Sequence, residues 1–224
     1  MELNFSKYHG AGNDFILIDN RKGNIYLSNK QIQTLCTRRF GIGADGLMIL
    51  ENDNSNDFRM KYYNCDGNES TMCGNGGRCI VAFAYDLGII KEETIFSAID
   101  GKHHAIINKK HKNGIYDISL EMNNVSEVKI INNTTFFLDT GSPHHVIFTK
   151  NIDNLNVDQE GRLIRNSELY KNIGGTNVNF IEIIDNELKI RTFERGVEGE
   201  THACGTGATA AAIAYALKEN KFTE

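Results

Sequence analysis

The chain has 224 residues, of which 40% are hydrophobic and 24% are charged, a composition typical of a globular protein with one large or two smaller domains. A formal net charge of −5 provides no basic surface for nucleic acid, and a single proline excludes a proline-rich linker. The amino terminus lacks the pattern of a signal peptide, and no apolar run approaches the roughly 20 residues that span a membrane. The sequence therefore predicts a soluble, cytoplasmic protein with neither a membrane segment nor a nucleic-acid partner.

Hydrophobic periodicity predicts strands and two helices in the first half of the chain. Ser28 is a good N-cap for the first helix, and a second helix follows Cys73 and ends near Leu87, with Gly88 as its stop signal. The apolar face of the first helix comprises Ile32, Leu35, Cys36 and Phe40. The predicted strands span residues 3–8, 15–19, 47–50, 58–64, 94–108 and 115–122.

The pattern restarts after about residue 124, which predicts an N-terminal lobe at residues 1–123 and a C-terminal lobe at residues 124–224. A final helix follows Cys204 and runs to about Lys218. The strands predicted before it span residues 135–139, 145–148, 178–184 and 188–193.

An internal repeat links the two halves. Residues 69–76 read ESTMCGNG and residues 200–207 read ETHACGTG, so Cys73 and Cys204 each follow a glutamate and precede two glycines at the same spacing. A repeated strand–loop–helix context predicts a duplicated lobe. The second copy lacks the strands that follow the first, so we expect its closing strands to be missing. The alanine-rich helix at residues 206–216 would then be partly uncovered.

Both cysteines are predicted at the start of a helix, where the positive end of the backbone dipole favours the thiolate. The exposed amides of Gly74, Asn75, Gly205 and Thr206 would form an anion cradle beside each sulfur. This arrangement suits an α-amino acid whose α-carbon lies between two sulfurs. One thiolate would remove the α-proton and the other thiol would protonate the opposite face, with the amides stabilising the charge that develops. The pair would titrate as a coupled unit.

Polar residues near the predicted strand ends extend this hypothesis. Arg195 can hold a carboxylate in bidentate fashion. Asn13, Asn64 and Asn177 each follow or precede a predicted strand, where a neutral amide can bind either end of a zwitterion. For each asparagine taken alone, ordinary turn chemistry is the favoured interpretation.

Five motifs occur in a fixed order and resemble the diaminopimelate epimerase family across residues 8–207. They are YHGAGNDF at 8–15, RFGIGADG at 39–46, Asn64 with Asp66-Gly67, MCGNG at 72–76, and the segment from Glu194-Arg195-Gly196 to Ala203-Cys204-Gly205-Thr206-Gly207. The resemblance implies an α+β fold of two pseudo-symmetric lobes, each a curled, mostly antiparallel sheet around a central helix, with the site in the cleft between them. It also implies a homodimer.

The same resemblance implies interconversion of LL- and meso-diaminopimelate without a cofactor or a metal, for lysine and peptidoglycan precursors. Cys73 and Cys204 match the catalytic pair, and His144 and Glu194 match positions that assist them. Substrate contacts are implied at Asn13, Asn64, Gly74, Asn75, Asn177, Glu194, Arg195, Gly205 and Thr206. The chain departs from the family at Gly46, where some members have glutamine, and at Ser142, where many have asparagine.

Three other interpretations compete with this one. The segment 41–46 fits a dinucleotide-binding pattern, but a predicted helix precedes it and a strand follows, which is the wrong order. A proline or hydroxyproline racemase would share the paired cysteines, but such enzymes tend to have histidine where this chain has Asn75 and lack the Glu194-Arg195 pair. A truncated, inactive binding homologue stays open. Cys36, Cys65 and Cys79 are predicted to be structural, and the seven histidines show no zinc-ligand spacing with the cysteines.

Overall fold

The computed structural model describes residues 2–122 and 124–219. The chain forms two compact units, Met1–Glu121 and Met122–Glu224. The predicted lobe boundary falls at residue 123, which lies outside the described residues, and so do residues 220–224 at the chain's end. In the described part of the chain, no helix has both the length and the apolar composition needed to cross a membrane.

The first unit is an eight-stranded sheet in the order β1-β2-β3-β4-β6-β7-β8, with β5 beside β4. Its pairs are antiparallel except β2–β3 and β4–β6. The central helix, α2, contacts β1, β2, β3, β7 and β8, so the sheet curls around it. The elements are β1 (Ser6–Gly10), β2 (Asn13–Asp19), α1 (Asn29–Cys36), β3 (Gly46–Glu51), β4 (Phe58–Asn64), β5 (Glu69–Ser70), α2 (Gly74–Asp86), β6 (Glu93–Ala98), β7 (Gly101–Lys110) and β8 (Tyr116–Leu120).

The second unit is a six-stranded sheet in the order β14-β13-β12-β11-β10-β9. Helix α4 packs on β10 to β13, and α3 packs on β12, β13 and β14. The elements are β9 (Val128–Asn132), β10 (Thr135–Asp139), β11 (Pro143–Phe148), α3 (Val157–Arg165), β12 (Asn177–Ile184), β13 (Glu187–Glu194), β14 (Gly199–Thr201) and α4 (Gly205–Lys218).

The two units repeat one topology. In each, an antiparallel pair is followed by a helical crossover to a parallel neighbour, a second antiparallel pair, a two- or three-residue strand and a helix. Strands β1 to β5 therefore correspond to β10 to β14, α1 to α3, and α2 to α4. The predicted α+β class, with mostly antiparallel sheets around a central helix, is confirmed.

The two central helices differ in burial. Ten residues of α2 are buried, whereas in α4 only Gly207, Ala210, Ala211 and Ala214 are. Ala208 and Ala212 on the opposite face of α4 are exposed. Helix α4 is thus less buried than α2 among the described residues.

Some sequence predictions were incomplete or wrong. The first strand begins at Ser6 rather than at residue 3, and β5, β9, β14 and α3 were not predicted. Phe40 is 91% exposed, because α1 ends at Cys36 and Thr37 is already extended. Helix α3 was missed since Gly161 interrupts its apolar pattern. Packing requires glycine at this position, because an added Cβ would lie 2.4 Å from the Cβ of Phe193.

Candidate active site: two cysteine half-sites

Cys73 is the N-cap residue of α2, in extended conformation, and its side chain does not cap the helix. The helix is held by a buried apolar face that includes Ile80, Val81 and Phe83. Burying one such side chain stabilises a fold by about 1.5–3 kcal/mol. The Cys73 thiol therefore lies at the positive end of a firmly packed helix dipole.

The β1–β2 hairpin packs against the first turn of α2. Its two turn residues, Ala11 and Gly12, both have positive φ, as a type I′ turn requires. A Cβ at Gly10 would lie 3.1 Å from both the Cβ and the backbone oxygen of Asn75. Asn75 is 6% exposed, so this predicted cradle residue is enclosed by the hairpin.

Asn13, at the start of β2, lies beside the first cysteine. Its Oδ1 is 3.6 Å from the Sγ of Cys73, and its Nδ2 donates to Asp45 Oδ2 at 2.8 Å. Arg38 donates to Asp45 at 2.8 Å and to Asp14 at 2.6 Å. Burial opposes ionisation of Asp14, but hydrogen bonds from Arg38 and Lys7 outweigh it and hold the pKa of that carboxyl well below its usual range.

Asn64 is the last residue of β4 and faces Gly46 in the sheet register. Its backbone N–H donates to Asn68 O at 3.0 Å, and its carbonyl accepts from Gly67 at 2.9 Å, so it also performs turn chemistry. A Cβ at Gly46 would lie 2.6 Å from Tyr62 Cε2. This contact explains why Gly46 carries no side chain.

In the second unit, Cys204 is the N-cap residue of α4 and again does not cap it through the side chain. Its Sγ lies 3.4 Å from the hydroxyl oxygen of Thr206. A Cβ at Gly207 would lie 2.3 Å from Asn179 Oδ1 and 3.2 Å from the Cys204 sulfur. Only glycine allows the helix to approach Asn179 this closely.

His144 is fully buried in β11. Its Nε2 lies 3.0 Å from Ser142 Oγ, and its Nδ1 lies 2.9 Å from Asn179 Nδ2. Burial, followed by the nearby positive charge of Arg195, lowers the pKa of His144 to about 3. The imidazole is therefore neutral at physiological pH.

Asn177 is buried and fixes the turn that follows β13. It donates to Pro143 O at 3.0 Å and accepts from the backbone N–H of Arg195 at 2.9 Å. The Arg195 guanidinium is 3.3 Å from two backbone oxygens, those of Ile173 and Gly175. Glu194 accepts a 2.5 Å hydrogen bond from Thr201. Each residue of this group thus has a structural partner, whatever it does for a substrate.

The structure places the predicted residues in two clusters, one in each unit. The first contains Cys73, Gly74, Asn75 and Asn13, with Asn64 at the end of β4. The second contains Cys204, Gly205, Thr206, His144, Asn177, Glu194 and Arg195. Sequence reasoning did not assign roles to Asp45 and Asn179, which orient Asn13 and His144. Among the described residues, no group of three or more His, Cys, Asp or Glu side chains is arranged to hold a metal.

Comparison with solved structures defines the class of fold. A phenazine biosynthesis protein of the PhzF family from Bacillus anthracis superposes with a TM-score of 0.72 at 15% identity, covering 99% of this chain and 81% of that one. A probable proline racemase from Agrobacterium radiobacter superposes with a TM-score of 0.71 at 14% identity, covering 99% and 79%. At these identities the likeness establishes the fold alone.

Sequence comparison is more specific. The family model described as diaminopimelate epimerase matches residues 5–126 and 136–224. The diaminopimelate epimerase of Flavobacterium psychrophilum is 60% identical over 93% of this chain and 79% of its own length. That of Chlorobaculum tepidum is 48% identical over 91% and 80%. The chain belongs to the diaminopimelate epimerase family and is therefore an isomerase, which confirms the resemblance found in the motifs.

Proposed function

We propose that this protein interconverts LL- and meso-diaminopimelate with Cys73 and Cys204 as its two bases. The observation that carries this proposal is the repeated half-site. Each unit holds a cysteine at the N-cap of its central helix, followed by glycines at the same two positions. The name shared by the relatives supplies the substrate.

The proposed chemistry requires one sulfur on each face of the α-carbon. A thiolate takes the α-proton and becomes a thiol, leaving the electron pair on the substrate as an enolate-like carbanion. The second thiol then protonates the opposite face and becomes a thiolate, so charge and protons balance. Backbone amides at the helix N-termini, from Gly74, Asn75, Gly205 and Thr206, would bind the carboxylate and stabilise the developing charge, an effect worth about 3–4 kcal/mol per donor in comparable sites.

Other predicted residues have roles in the same proposal. Asn13, Asn64 and Asn177 would contact the substrate's polar groups, and Glu194 and Arg195 would bind its distal amino-acid end. His144 would assist through its hydrogen bonds, since a neutral, buried imidazole is a poor proton acceptor near pH 7. We propose that the reaction needs neither pyridoxal phosphate nor metal, that it serves lysine and peptidoglycan precursor synthesis in the cytoplasm, and that the enzyme acts as a homodimer.

The test is α-proton exchange. The purified chain is incubated with LL-diaminopimelate in D₂O, and deuterium at the α-carbon is followed by NMR. We expect exchange with the intact protein and with the control Cys65→Ala, whose thiol is exposed and has no role in the proposed reaction. Cys73→Ala and Cys204→Ala should lose exchange by several orders of magnitude.

Two outcomes would overturn the proposal. Exchange of proline but not of diaminopimelate would indicate the racemase alternative. The absence of exchange in a folded sample, verified by circular dichroism, would indicate a binding homologue.

A further inference from the structure

The donor and acceptor of each hydrogen bond near Cys204 can be assigned in order, starting from the Asn179 side chain. Its Nδ2 faces the backbone oxygen of His145 at 3.4 Å, which can only accept, so the amide group is oriented. The same Nδ2 lies 2.9 Å from His144 Nδ1, and that nitrogen must be the acceptor. Because the imidazole is neutral, its one proton is on Nε2.

The direction continues through Ser142. Its Oγ lies 3.0 Å from His144 Nε2 and 3.3 Å from Asn177 Nδ2, and both of these donate. The Asn177 amide cannot be reversed, because the same Nδ2 donates to Pro143 O. With both lone pairs of Ser142 used, its proton points to Thr206 Oγ1 at 3.4 Å.

Thr206 therefore accepts from Ser142 and has its own proton left for the sulfur of Cys204 at 3.4 Å. A donor aimed at a sulfur stabilises the thiolate relative to the thiol. The last donor in this chain of hydrogen bonds, the Thr206 hydroxyl, therefore stabilises the thiolate form of Cys204.

The first cysteine has the opposite surroundings. The carboxylate of Asp45 receives Arg38, the backbone N–H of Asp14 and Asn13 Nδ2, so it accepts only. It therefore holds the amino group of Asn13 away from the sulfur and presents Oδ1 to Cys73. A carbonyl oxygen accepts from a thiol and repels a thiolate.

We propose that Asp45 and Ser142 are positioning residues for the two-base reaction: Asp45 turns the Asn13 amide so that Cys73 is held as the thiol, and Ser142 orients the Thr206 hydroxyl so that Cys204 is held as the thiolate. The inference rests on the proposed function, which needs one acid and one base at the start of each turnover.

Other charged and titratable groups surround each cysteine. Around Cys73, the backbone N–H of Met72 donates to Asp100, which pairs with His103, and Arg78 donates to Gly74 O. The hydrogen bonds and charge interactions that start at Cys73 also reach Cys79 directly and Asp45, Arg38, Asp14 and Lys7 through Asn13. Through Thr206 and Ser142, Cys204 is linked to His144, on which the positive charge of Arg195 acts, and His202 stands two residues before Cys204 in the chain.

The test measures alkylation of each cysteine by iodoacetamide as a function of pH, read by peptide mass spectrometry on the full chain without substrate. The midpoint is the pH at which the alkylation rate of a cysteine reaches half of its maximum. In the intact protein, the midpoint for Cys204 should lie below that for Cys73. Thr206→Val should raise the Cys204 midpoint by about one pH unit, the size expected for one hydrogen bond to a charged sulfur. Ser142→Ala should raise it by less. The control Thr209→Val removes a hydroxyl that donates only to Gly205 O, and should change neither midpoint.

At the other half-site, Asp45→Asn should lower the Cys73 midpoint by about one pH unit, because Asn13 can then turn its amino group to the sulfur. Asp14→Asn removes a neighbouring charge without touching the Asn13 side chain, and should shift it much less. Asn13→Ala should lower the midpoint as well, and adding Asp45→Asn to it should produce only the small further shift expected from loss of a neighbouring charge.

Equal midpoints, or a lower one for Cys73, in the intact protein would overturn the inference. Equal shifts of the Cys73 midpoint in Asp45→Asn and Asp14→Asn would also overturn it, since the loss of one negative charge would then explain both shifts. Circular dichroism melts identify any variant that fails to fold, and Asn13→Ala provides an independent arm. Because no substrate is present, the proposed function can fail in the exchange assay while this order of midpoints stands.

Discussion

Alanine substitution at two equivalent glycines tests how tightly each half-site is built. Gly76 and Gly207 occupy the same position, three residues after the cysteine, on α2 and α4. A Cβ at Gly76 would meet Met48 Sδ at 3.3 Å, the far part of a flexible side chain. A Cβ at Gly207 would lie 2.3 Å from Asn179 Oδ1, about 1 Å inside normal contact.

The expected magnitudes follow from these distances. Replacing a helical glycine with alanine favours the helix by about 1 kcal/mol at either position. At Gly207, overpacking costs about 1–3 kcal/mol, and displacing Asn179 loses two hydrogen bonds of about 1 kcal/mol each, to His144 and from Thr192. We expect Gly207→Ala to be destabilised by about 2–4 kcal/mol, and Gly76→Ala to change by less than about 1 kcal/mol.

The assays are thermal denaturation and α-proton exchange. For a unit of roughly 100 residues, each kcal/mol shifts the melting temperature by about 4–8 °C, so Gly207→Ala should melt on the order of 10 °C lower. A displacement of about 1 Å near Cys204 should also reduce exchange by about 100-fold, whereas Gly76→Ala should keep most of the activity. If the two variants melt and exchange alike, the close approach of α4 to Asn179 does not govern the second half-site.

Three further predictions concern stability and thiol chemistry. Gly46→Ala should destabilise the first unit by about 2 kcal/mol, because its Cβ would overlap the Tyr62 ring, and urea titration would measure the loss. Burial lowers the pKa of His145 to about 4, so the unfolded chain binds its proton first. This residue alone should lower the free energy of unfolding by up to about 1.4 kcal/mol per pH unit as the pH drops from 6.5 to 4, and His145→Gln should reduce the slope by that amount. Burial raises the pKa of Cys79 to about 12, so at pH 8 iodoacetamide should label the exposed Cys65 in the folded protein and leave Cys79 unlabelled until urea is added.

Much of the fold could be predicted because its local signals agree with its packing. The strand Phe58–Asn64 was predicted with its observed bounds, and Ser28 caps α1 in a capping box with Gln31. The central helices were predicted because glycine-flanked cysteines precede long apolar stretches. Helix α3 could not be predicted, because Gly161 interrupts its apolar pattern. The reason for that glycine is a tertiary contact with Phe193, which the local sequence does not reveal.

The candidate site divides in the same way. Cys73 and Cys204 stand out in the sequence since each repeats the other's neighbours. Asp45 and Asn179 carry no such signal, because their importance comes from which atom of another side chain they orient. That information depends on tertiary distances of about 3 Å, which neither periodicity nor spacing encodes.

The central claim, two bases on opposite faces of one carbon, is tested most directly by where solvent deuterium first appears. LL-diaminopimelate is converted in D₂O to a few per cent, and product and recovered substrate are separated and analysed by mass spectrometry. Two sulfurs predict product with one deuterium at the inverted carbon and recovered substrate with none, because the removed proton and the added deuteron belong to different thiols. Equal deuterium in recovered substrate and product would show that a single base both removes and returns the proton, and would contradict the account.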